Sequence, residues 1–366
     1  MRLGVAAALV GGRRLPGDVL VEDRRVTRVG MAPRGSSGLA IPGFVDLQVN
    51  GFAGVDVLGA DGDAYRRMGQ ALAATGVTAY QPTIISSPLD AYGPALARVI
   101  DAGPTPGGPR LLGVHLEGPF LSRKWCGAHS PASIIDPDLD ATSRLLDAGP
   151  VTYMTVAPER PRALALIELL VKRGITVSVG HTDADAPRAH AAFDAGARSI
   201  THIYNAQRRF QPRDPGVAGA ALARQDVVVQ AIVDGVHLAP ETVFATYLAA
   251  RGRFAMVTDA TAAAGLGDGI YSMADRTVTV RGGEARLDDG TLAGSTLTMD
   301  RAVRNLVALG APLEDAVAAS SEVPARLVGR GDLGAIRPDM PADITVLDDR
   351  LEVVRTLVDG TEIFAN

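Results

Sequence analysis

Eight short runs of apolar and β-branched residues recur between residues 44 and 259, and they restrict the folds that this chain can adopt. Amphipathic, alanine-rich stretches with helical periodicity separate most of these runs, as in 161–173 and 240–251. Eight alternations of strand and helix over about 250 residues are typical of a (β/α)8 barrel, so we predict an α/β fold of that class. The predicted barrel strands are 44–50, 77–83, 111–117, 151–157, 175–181, 199–203, 227–234 and 254–259.

The two ends of the chain have a different pattern. Residues 1–42 and 334–366 contain short alternating segments separated by turn residues. Because both ends are rich in strands, we predict that they pair in one small β-sandwich domain beside the barrel. The catalytic barrel domain then comprises 43–333, with a further β segment at about 270–295 after the eighth strand.

The overall composition excludes several classes of function. The chain has 366 residues, 47% of them hydrophobic, enough for one large and one small domain with a sizeable core. A net charge of −5 argues against general binding of nucleic acid, which requires a basic face. The sequence contains no apolar run of about 18 residues, so we expect no membrane partner. Cys126 is the only cysteine, which excludes an intrachain disulfide and suits a reducing cytoplasm.

Four predicted strands end at or beside side chains that can carry hydrolytic chemistry: Glu117, His181, His202 and Asp259. Barrel enzymes place their active sites at the carboxyl ends of the strands. One carboxylate and two imidazoles form a three-ligand metal site with a position left for water, and Asp259 could then act as the acid–base group. Any one of these residues alone is better explained by a structural hydrogen bond at the rim. Four of them on separate strands favour a catalytic site.

The first strand ends with two amides, Gln48 and Asn50, which lie two residues apart and therefore share a strand face. We expect both to point into the mouth of the barrel, where a pair of histidines would be needed to bind a second metal ion. Neutral amides are weak ligands for transition metals, and neither of the two lysines lies at a strand end to bridge two ions. We therefore predict one metal per site. His115 shares a face with Glu117 and is a rival ligand, although a buried, hydrogen-bonded histidine is the commoner case.

Together these segments resemble one family, the N-acetylglucosamine-6-phosphate deacetylases. The resemblance covers nearly the whole chain and implies a metal-dependent amidohydrolase that converts N-acetyl-D-glucosamine 6-phosphate and water to D-glucosamine 6-phosphate and acetate. The alternatives are a deacetylase of N-acetylgalactosamine 6-phosphate, another N-acyl amidohydrolase, or a non-catalytic scaffold on the same fold. The matching motifs are PGFVDLQVNG at 42–51, HLEGP at 115–119, GHT at 180–182, THIYNA at 201–206, DGVH at 234–237, VTDAT at 257–261 and LAGSTLTM at 292–299.

The resemblance also implies roles for individual residues. Glu117, His181 and His202 would bind one divalent ion, zinc first, with Fe2+, Co2+ or Mn2+ as alternatives, and Asp259 would be the acid–base group. His129 would polarise the acetamide oxygen; on sequence alone a solvated loop histidine competes with that role. The residues that would line the sugar site are Ala128, Asn205, Ala206, Leu292, Ala293 and Gly294.

For the phosphate, the resemblance implies Arg213 and His237, reaching from the neighbouring subunit of a homodimer. A guanidinium fork suits phosphate oxygens, but Arg208 and Arg209 compete for this role on sequence alone. The segment 207–212 departs from the usual family sequence at this point. Cys126, just before the Gly-Ala-His segment, is best explained as a small buried hydrophobic residue, with a redox- or metal-sensitive loop as the alternative.

Overall fold

The computed structural model describes residues 1–103, 107–274 and 276–366. Over these residues the chain forms ten α-helices and 22 β-strands, numbered in chain order. The strands are β1 (Ala7–Val10), β2 (Arg13–Pro16), β3 (Asp18–Glu22), β4 (Arg25–Met31), β5 (Leu39–Pro42), β6 (Phe44–Val49), β7 (Gly51–Phe52), β8 (Val55–Asp56), β9 (Val77–Ile85), β10 (Arg110–Leu111), β11 (Val114–Glu117), β12 (Val151–Val156), β13 (Thr176–Val179), β14 (Ser199–Ile200), β15 (Val228–Ala231), β16 (Phe254–Met256), β17 (Gly269–Met273), β18 (Arg276–Arg281), β19 (Glu284–Arg286), β20 (Ile344–Leu347), β21 (Val353–Val358) and β22 (Thr361–Ala365). The helices are α1 (Gly62–Ala73), α2 (Leu89–Ala102), α3 (Leu139–Asp147), α4 (Ala163–Lys172), α5 (Ala186–Asp194), α6 (Gly216–Ala223), α7 (Pro240–Ala249), α8 (Met299–Ala308), α9 (Leu313–Ser320) and α10 (Glu322–Leu327).

Eight parallel strands, β6, β9 and β11 to β16, form the barrel. Each pairs in parallel with the next one, and Val49 bridges Ala260 to close the gap between β16 and β6. Every predicted barrel strand overlaps an observed one, and the helical patterns correspond to helices that follow the strands. The predicted (β/α)8 barrel is therefore confirmed. Within the described residues no helix has both the length and the apolar character that a bilayer crossing requires.

Both ends of the chain enter one six-stranded sheet with the order β2-β1-β5-β20-β21-β22. The hairpin β3–β4 forms a separate two-stranded sheet, and both sheets contribute to one small apolar core. This confirms the β-sandwich that the two termini predict, while the residue limits 1–42 and 334–366 stay a prediction. The strands β17, β18 and β19 form a three-stranded sheet of their own after the last barrel strand. Buried residues of the small core include Leu3, Val19, Val26, Ile344 and Leu357.

Arg110 on β10 joins the barrel to this sheet. Its Nε lies 2.7 Å from one oxygen of Asp343, and its Nη2 lies 3.0 Å from the other. The same guanidinium is 2.5 Å from Asp359. Asp343 is only 5% exposed and Arg110 is half-buried, so a bidentate ion pair to a buried carboxylate links the two parts of the chain.

Candidate active site

The carboxyl ends of the barrel strands surround a cavity of about 300 Å3. Most of the residues that sequence reasoning selected from separate segments come together on its wall. This is what a parallel barrel requires, because all its strands end at the same rim. The predicted residues that line it are Glu117, Ala128, His129, His181, His202, Asn205, Ala206, His237, Asp259, Leu292 and Gly294.

Three donor atoms of Glu117, His181 and His202 converge at the bottom of this cavity. Oε1 of Glu117 lies 3.1 Å from Nε2 of His181 and 2.9 Å from Nε2 of His202, and the two nitrogens are 3.2 Å apart. All three side chains are buried. Burial opposes ionisation of Glu117, but the imidazoles of His129, His181 and His202 hold the pKa of this carboxyl well below its usual range. A carboxylate and two imidazole nitrogens converging in this way fit a divalent cation.

The orientation of His181 is fixed by the loop that follows β11. Its Nδ1 lies 2.9 Å from the carbonyl oxygen of Trp125. A carbonyl oxygen can only accept, so Nδ1 carries the proton and Nε2 presents its lone pair to the cluster. The indole of Trp125 is itself held, because its Nε1 donates to Asp183 at 2.7 Å.

Asp259 faces the cluster from the end of β16. Its Oδ1 accepts from the amide of Gln48 at 3.0 Å and from that of Asn50 at 2.7 Å. The Gln48 amide also donates to Glu117 at 3.0 Å. Burial and the nearby charge of Glu117 raise the pKa of Asp259 to about 6. A carboxyl group with this pKa can take up and release a proton near neutral pH, which is what general acid–base catalysis needs.

Three of the central residues leave their strands in a left-handed backbone conformation. The φ angles are +46° at His181, +28° at His202 and +51° at Asp259. Residues with a Cβ atom rarely adopt such angles, and they cluster at functional sites when the surrounding fold enforces them. The strands therefore stop earlier than sequence reasoning placed them, and the chain turns each side chain into the mouth.

His115, the rival ligand, lies inside the barrel below this cluster. Its Nδ1 is 3.1 Å from the carbonyl oxygen of Leu47, and its Nε2 is 2.8 Å from the hydroxyl of Thr155. Burial lowers the pKa of His115 to about 4. Both ring nitrogens are thus engaged within the protein, and His115 is a neutral structural histidine.

His129 stands closer to the metal cluster. Donor atoms of Glu117, His129 and His181 all lie within 4.8 Å of one another. Its Nε2 is 3.5 Å from Oε2 of Glu117, while its Nδ1 contacts Ser86. Distance alone therefore does not separate His129 from the ligands.

The remaining predicted residues have different positions. His237, which the resemblance implied to reach from the neighbouring subunit, instead lines the cavity of its own chain, with Nδ1 2.7 Å from Asp234. Arg213 is exposed, in a turn closed by Gln211 and Asp214, and it is not among the residues of the cavity wall. Ala293 is fully buried beside the cavity wall and belongs to a neighbouring apolar cluster.

Sequence reasoning missed part of the wall, and also Ser86, which contacts the wall residue His129. Trp125 is the only tryptophan of the chain and lies in the long irregular segment after β11, so its position was a usable signal. Ser86 follows β9, which extends two residues beyond its predicted end, and Ser-Ser-Pro reads as an ordinary turn. The wall residues to which sequence reasoning assigned no part in the pocket are Ile85, Lys124, Trp125, Gly127, Ile232, Met273 and Thr291.

Comparison with known proteins agrees with this geometry. The sequence profile of the amidohydrolase family matches residues 39–363. This chain belongs to the amidohydrolase family. It is therefore a hydrolase, of a family in which metal dependence is typical.

Three proteins similar to this chain are named as deacetylases of N-acetylated amino-sugar 6-phosphates. The chain is 37% identical to the N-acetylglucosamine-6-phosphate deacetylase of Homo sapiens, over 96% of this chain and 89% of that protein. It is 35% identical to the N-acetylgalactosamine-6-phosphate deacetylase of Escherichia coli O157:H7, over 88% and 87%. A solved mutant N-acetyl-D-glucosamine-6-phosphate deacetylase from Mycobacterium smegmatis, in complex with N-acetyl-D-glucosamine 6-phosphate, superimposes with a TM-score of 0.94 at 35% identity, covering 100% of this chain and 99% of that one. The resemblance predicted from the motifs is confirmed.

Proposed function

We propose that this protein hydrolyses the acetamide of N-acetyl-D-glucosamine 6-phosphate, giving D-glucosamine 6-phosphate and acetate. The observation that carries the proposal is the convergence of Glu117, His181 and His202 opposite Asp259 in one cavity at the barrel mouth. Relatives of this name at 36–37% identity over 96% of the chain support the choice of substrate. The single cysteine supports a cytoplasmic location.

We infer one divalent ion per chain, held by Glu117, His181 and His202. Zinc suits this donor set best, with Fe2+, Co2+ or Mn2+ as alternatives. When bound, the ion supplies Lewis acidity for the attack of water on the acetamide carbonyl. A single ion is supported by Gln48, whose amide nitrogen donates to both Glu117 and Asp259.

Residues of the protein then transfer the protons. Asp259 takes a proton from the attacking water and later delivers it to the sugar nitrogen, so that the C–N bond breaks and a neutral amine leaves. Gln48 and Asn50 both donate to Oδ1 of this carboxylate, which leaves Oδ2 for the proton. His129 donates a hydrogen bond to the acetamide oxygen, where negative charge develops in the transition state.

The sugar binds along the wall formed by the predicted binding residues, with its phosphate held by Arg213 and His237. Arg213 has no ion-pair partner among the described residues, and its exposed position outside the cavity supports a role in the site of a second copy. Arg208, in contrast, is paired with Asp214 at 2.6 Å. We therefore infer a homodimer in which Arg213 of each subunit completes the partner's phosphate site.

Acetate release from N-acetylglucosamine 6-phosphate, with metal content measured on the same preparation, tests the proposal. We expect turnover, one metal equivalent after dialysis, and a much lower kcat/KM for unphosphorylated N-acetylglucosamine. The similarity to the E. coli enzyme makes N-acetylgalactosamine 6-phosphate the second candidate, so both epimers are compared. Preference for the galacto epimer would mean that N-acetylgalactosamine 6-phosphate is the substrate. Two retained metal equivalents would contradict the single-ion site.

Mixed dimers test the shared phosphate site. Arg213→Ala and Asp259→Asn subunits should each be nearly inactive alone. In a hybrid dimer one site collects both defects and the other is intact, so random exchange should restore roughly a quarter of wild-type activity. No restoration after verified subunit exchange would show that each chain holds the phosphate by itself.

A further inference from the structure

The surroundings of His129 determine which of its ring nitrogens carries the proton. The backbone N–H of Ser86 points at Nδ1 of His129, with a nitrogen–nitrogen distance of 3.1 Å. Both residues are 3% exposed. A backbone N–H is always a donor, so Nδ1 must be the acceptor and cannot carry a proton. A neutral imidazole has one proton, which therefore lies on Nε2.

The hydroxyl of Ser86 is compatible with the same assignment. Its Oγ lies 3.0 Å from Nδ1 of His129 and 3.4 Å from the carbonyl oxygen of Glu117. A hydroxyl can donate to either atom. The hydroxyl thus does not require a proton on Nδ1, and the N–H forbids one.

His181 has the opposite arrangement, although the two rings pack edge to face with centroids 4.5 Å apart. Its Nδ1 donates to a backbone carbonyl, which leaves a lone pair on Nε2. His129 meets a backbone N–H instead, which leaves a proton on Nε2. The backbone group behind each ring, an acceptor for His181 and a donor for His129, therefore determines which ring nitrogen carries the proton.

We propose that Ser86 is a positioning residue whose backbone N–H fixes His129 as a hydrogen-bond donor at Nε2 and excludes that nitrogen from the metal. Without a lone pair on Nε2, His129 cannot become a fourth ligand despite its proximity to the cluster. His129 lines the cavity and its Nε2 lies 3.5 Å from Oε2 of Glu117, so a carbonyl oxygen bound beside the cluster can accept the same proton. The second consequence rests on the proposed function, whereas the first depends only on the fold.

Nitrogen NMR of the zinc-loaded protein, labelled with 15N at histidine and serine, tests the proton position directly. We expect His129 to show a protonated Nε2, an unprotonated Nδ1, and a scalar coupling across the hydrogen bond between Nδ1 and the Ser86 amide. The Ser86→Ala protein keeps the N–H and should keep the same pattern. A proton on Nδ1, or no coupling to residue 86, overturns the proposal.

Two substitutions of His129 give an independent measurement. The amide nitrogen of glutamine occupies approximately the place of Nε2, and that of asparagine the place of Nδ1. Loss of one oxyanion donor typically costs about 10²–10³-fold in kcat, so we expect that loss in His129→Asn and a loss at least tenfold smaller in His129→Gln. Both variants should retain one metal equivalent. A lost metal, or an asparagine variant as active as the glutamine variant, contradicts the assignment.

Failure of this proposal can be distinguished from failure of the proposed function. If no N-acetylhexosamine 6-phosphate is hydrolysed, the substrate assignment is wrong. The NMR pattern and the metal content are measured without substrate, and they still decide the role of Ser86.

Discussion

Asp259 at the barrel mouth and Asp343, just before β20 of the terminal sheet, are both buried carboxylates, but their partners differ. Asp259 accepts hydrogen bonds from two neutral amides, Gln48 and Asn50. Asp343 is held by both nitrogens of a guanidinium fork, that of Arg110. Burial and the nearby charge of Glu117 raise the pKa of Asp259 to about 6.

The difference in partners suits Asp259 to proton transfer and Asp343 to a structural role. Neutral donors orient a carboxylate without compensating its charge, so it remains able to accept a proton near neutral pH. A guanidinium compensates the charge and ties two elements together, here the barrel and the terminal sheet. Substitution at the mouth should therefore change turnover, and substitution in the Arg110–Asp343 pair should change stability.

The largest expected effect is at the mouth. Asp259→Asn should lower kcat by about 10²–10⁴-fold, since it removes the acid–base group. Metal content and the free energy of unfolding should stay close to wild type, because asparagine has similar size and removes a buried charge. Steady-state kinetics, metal analysis and denaturant unfolding measure the three quantities. A kcat within threefold of wild type would mean that another group transfers the proton.

A pH-dependent effect is expected one layer deeper, at Asp46. This carboxyl is fully buried and accepts from the Thr258 hydroxyl at 2.6 Å. Burial raises the pKa of Asp46 to about 7, above its ordinary 3.8. The protonated carboxyl therefore stabilises the folded protein fully below about pH 4. This contribution, at most on the order of 4 kcal/mol, is lost as the pH rises through 7.

Asp46→Asn removes this titration. Relative to wild type, the variant should gain stability between pH 4.5 and 8, as measured by denaturant unfolding across that range. Asp63→Asn, at an exposed carboxylate of α1, is the matched control and should show no such trend. Parallel curves for wild type and Asp46→Asn would indicate that Asp46 is ionised throughout.

A smaller effect, on stability alone, is expected at the terminal sheet. Arg110→Ala removes the cation beside the buried Asp343 carboxylate and leaves it, among the described residues, only the backbone N–H of Asp359, which should lower the free energy of unfolding by about 3 kcal/mol. The value of kcat below the unfolding transition should not change, because neither residue lies on the cavity wall. Loss of turnover in the folded variant would show that the Arg110–Asp343 pair also affects catalysis.

The smallest effect serves as the control for that experiment. Arg66 and Asp63 form an ion pair in which both side chains are more than half exposed. Solvent screens such pairs, so Arg66→Ala should change the free energy of unfolding by less than about 0.5 kcal/mol. A change as large as that of Arg110→Ala would mean that burial does not distinguish the two pairs.

The sequence predicted the barrel and much of the mouth because both follow from periodicity. Strands of a parallel barrel end at one rim, so Glu117 and Asp259 could be assigned to one site from their positions at strand ends. The left-handed backbone of His202 could not be predicted, since the surrounding fold enforces it. Ser86 was missed because its contribution comes from a backbone N–H, which every residue except proline has. Trp125 likewise acts on His181 through its carbonyl group.

The sheet shared by both termini has a consequence for synthesis of the chain. Strand β5 pairs along one edge with β20, which the ribosome adds roughly 300 residues later. At about 5–20 residues per second, the nascent chain carries that edge unpaired for on the order of 15–60 s. Its Ala40 and Ile41 are fully buried in the finished protein. During translation they lie on an open strand edge, so pairing of this edge with other nascent chains is the expected route of aggregation for this protein.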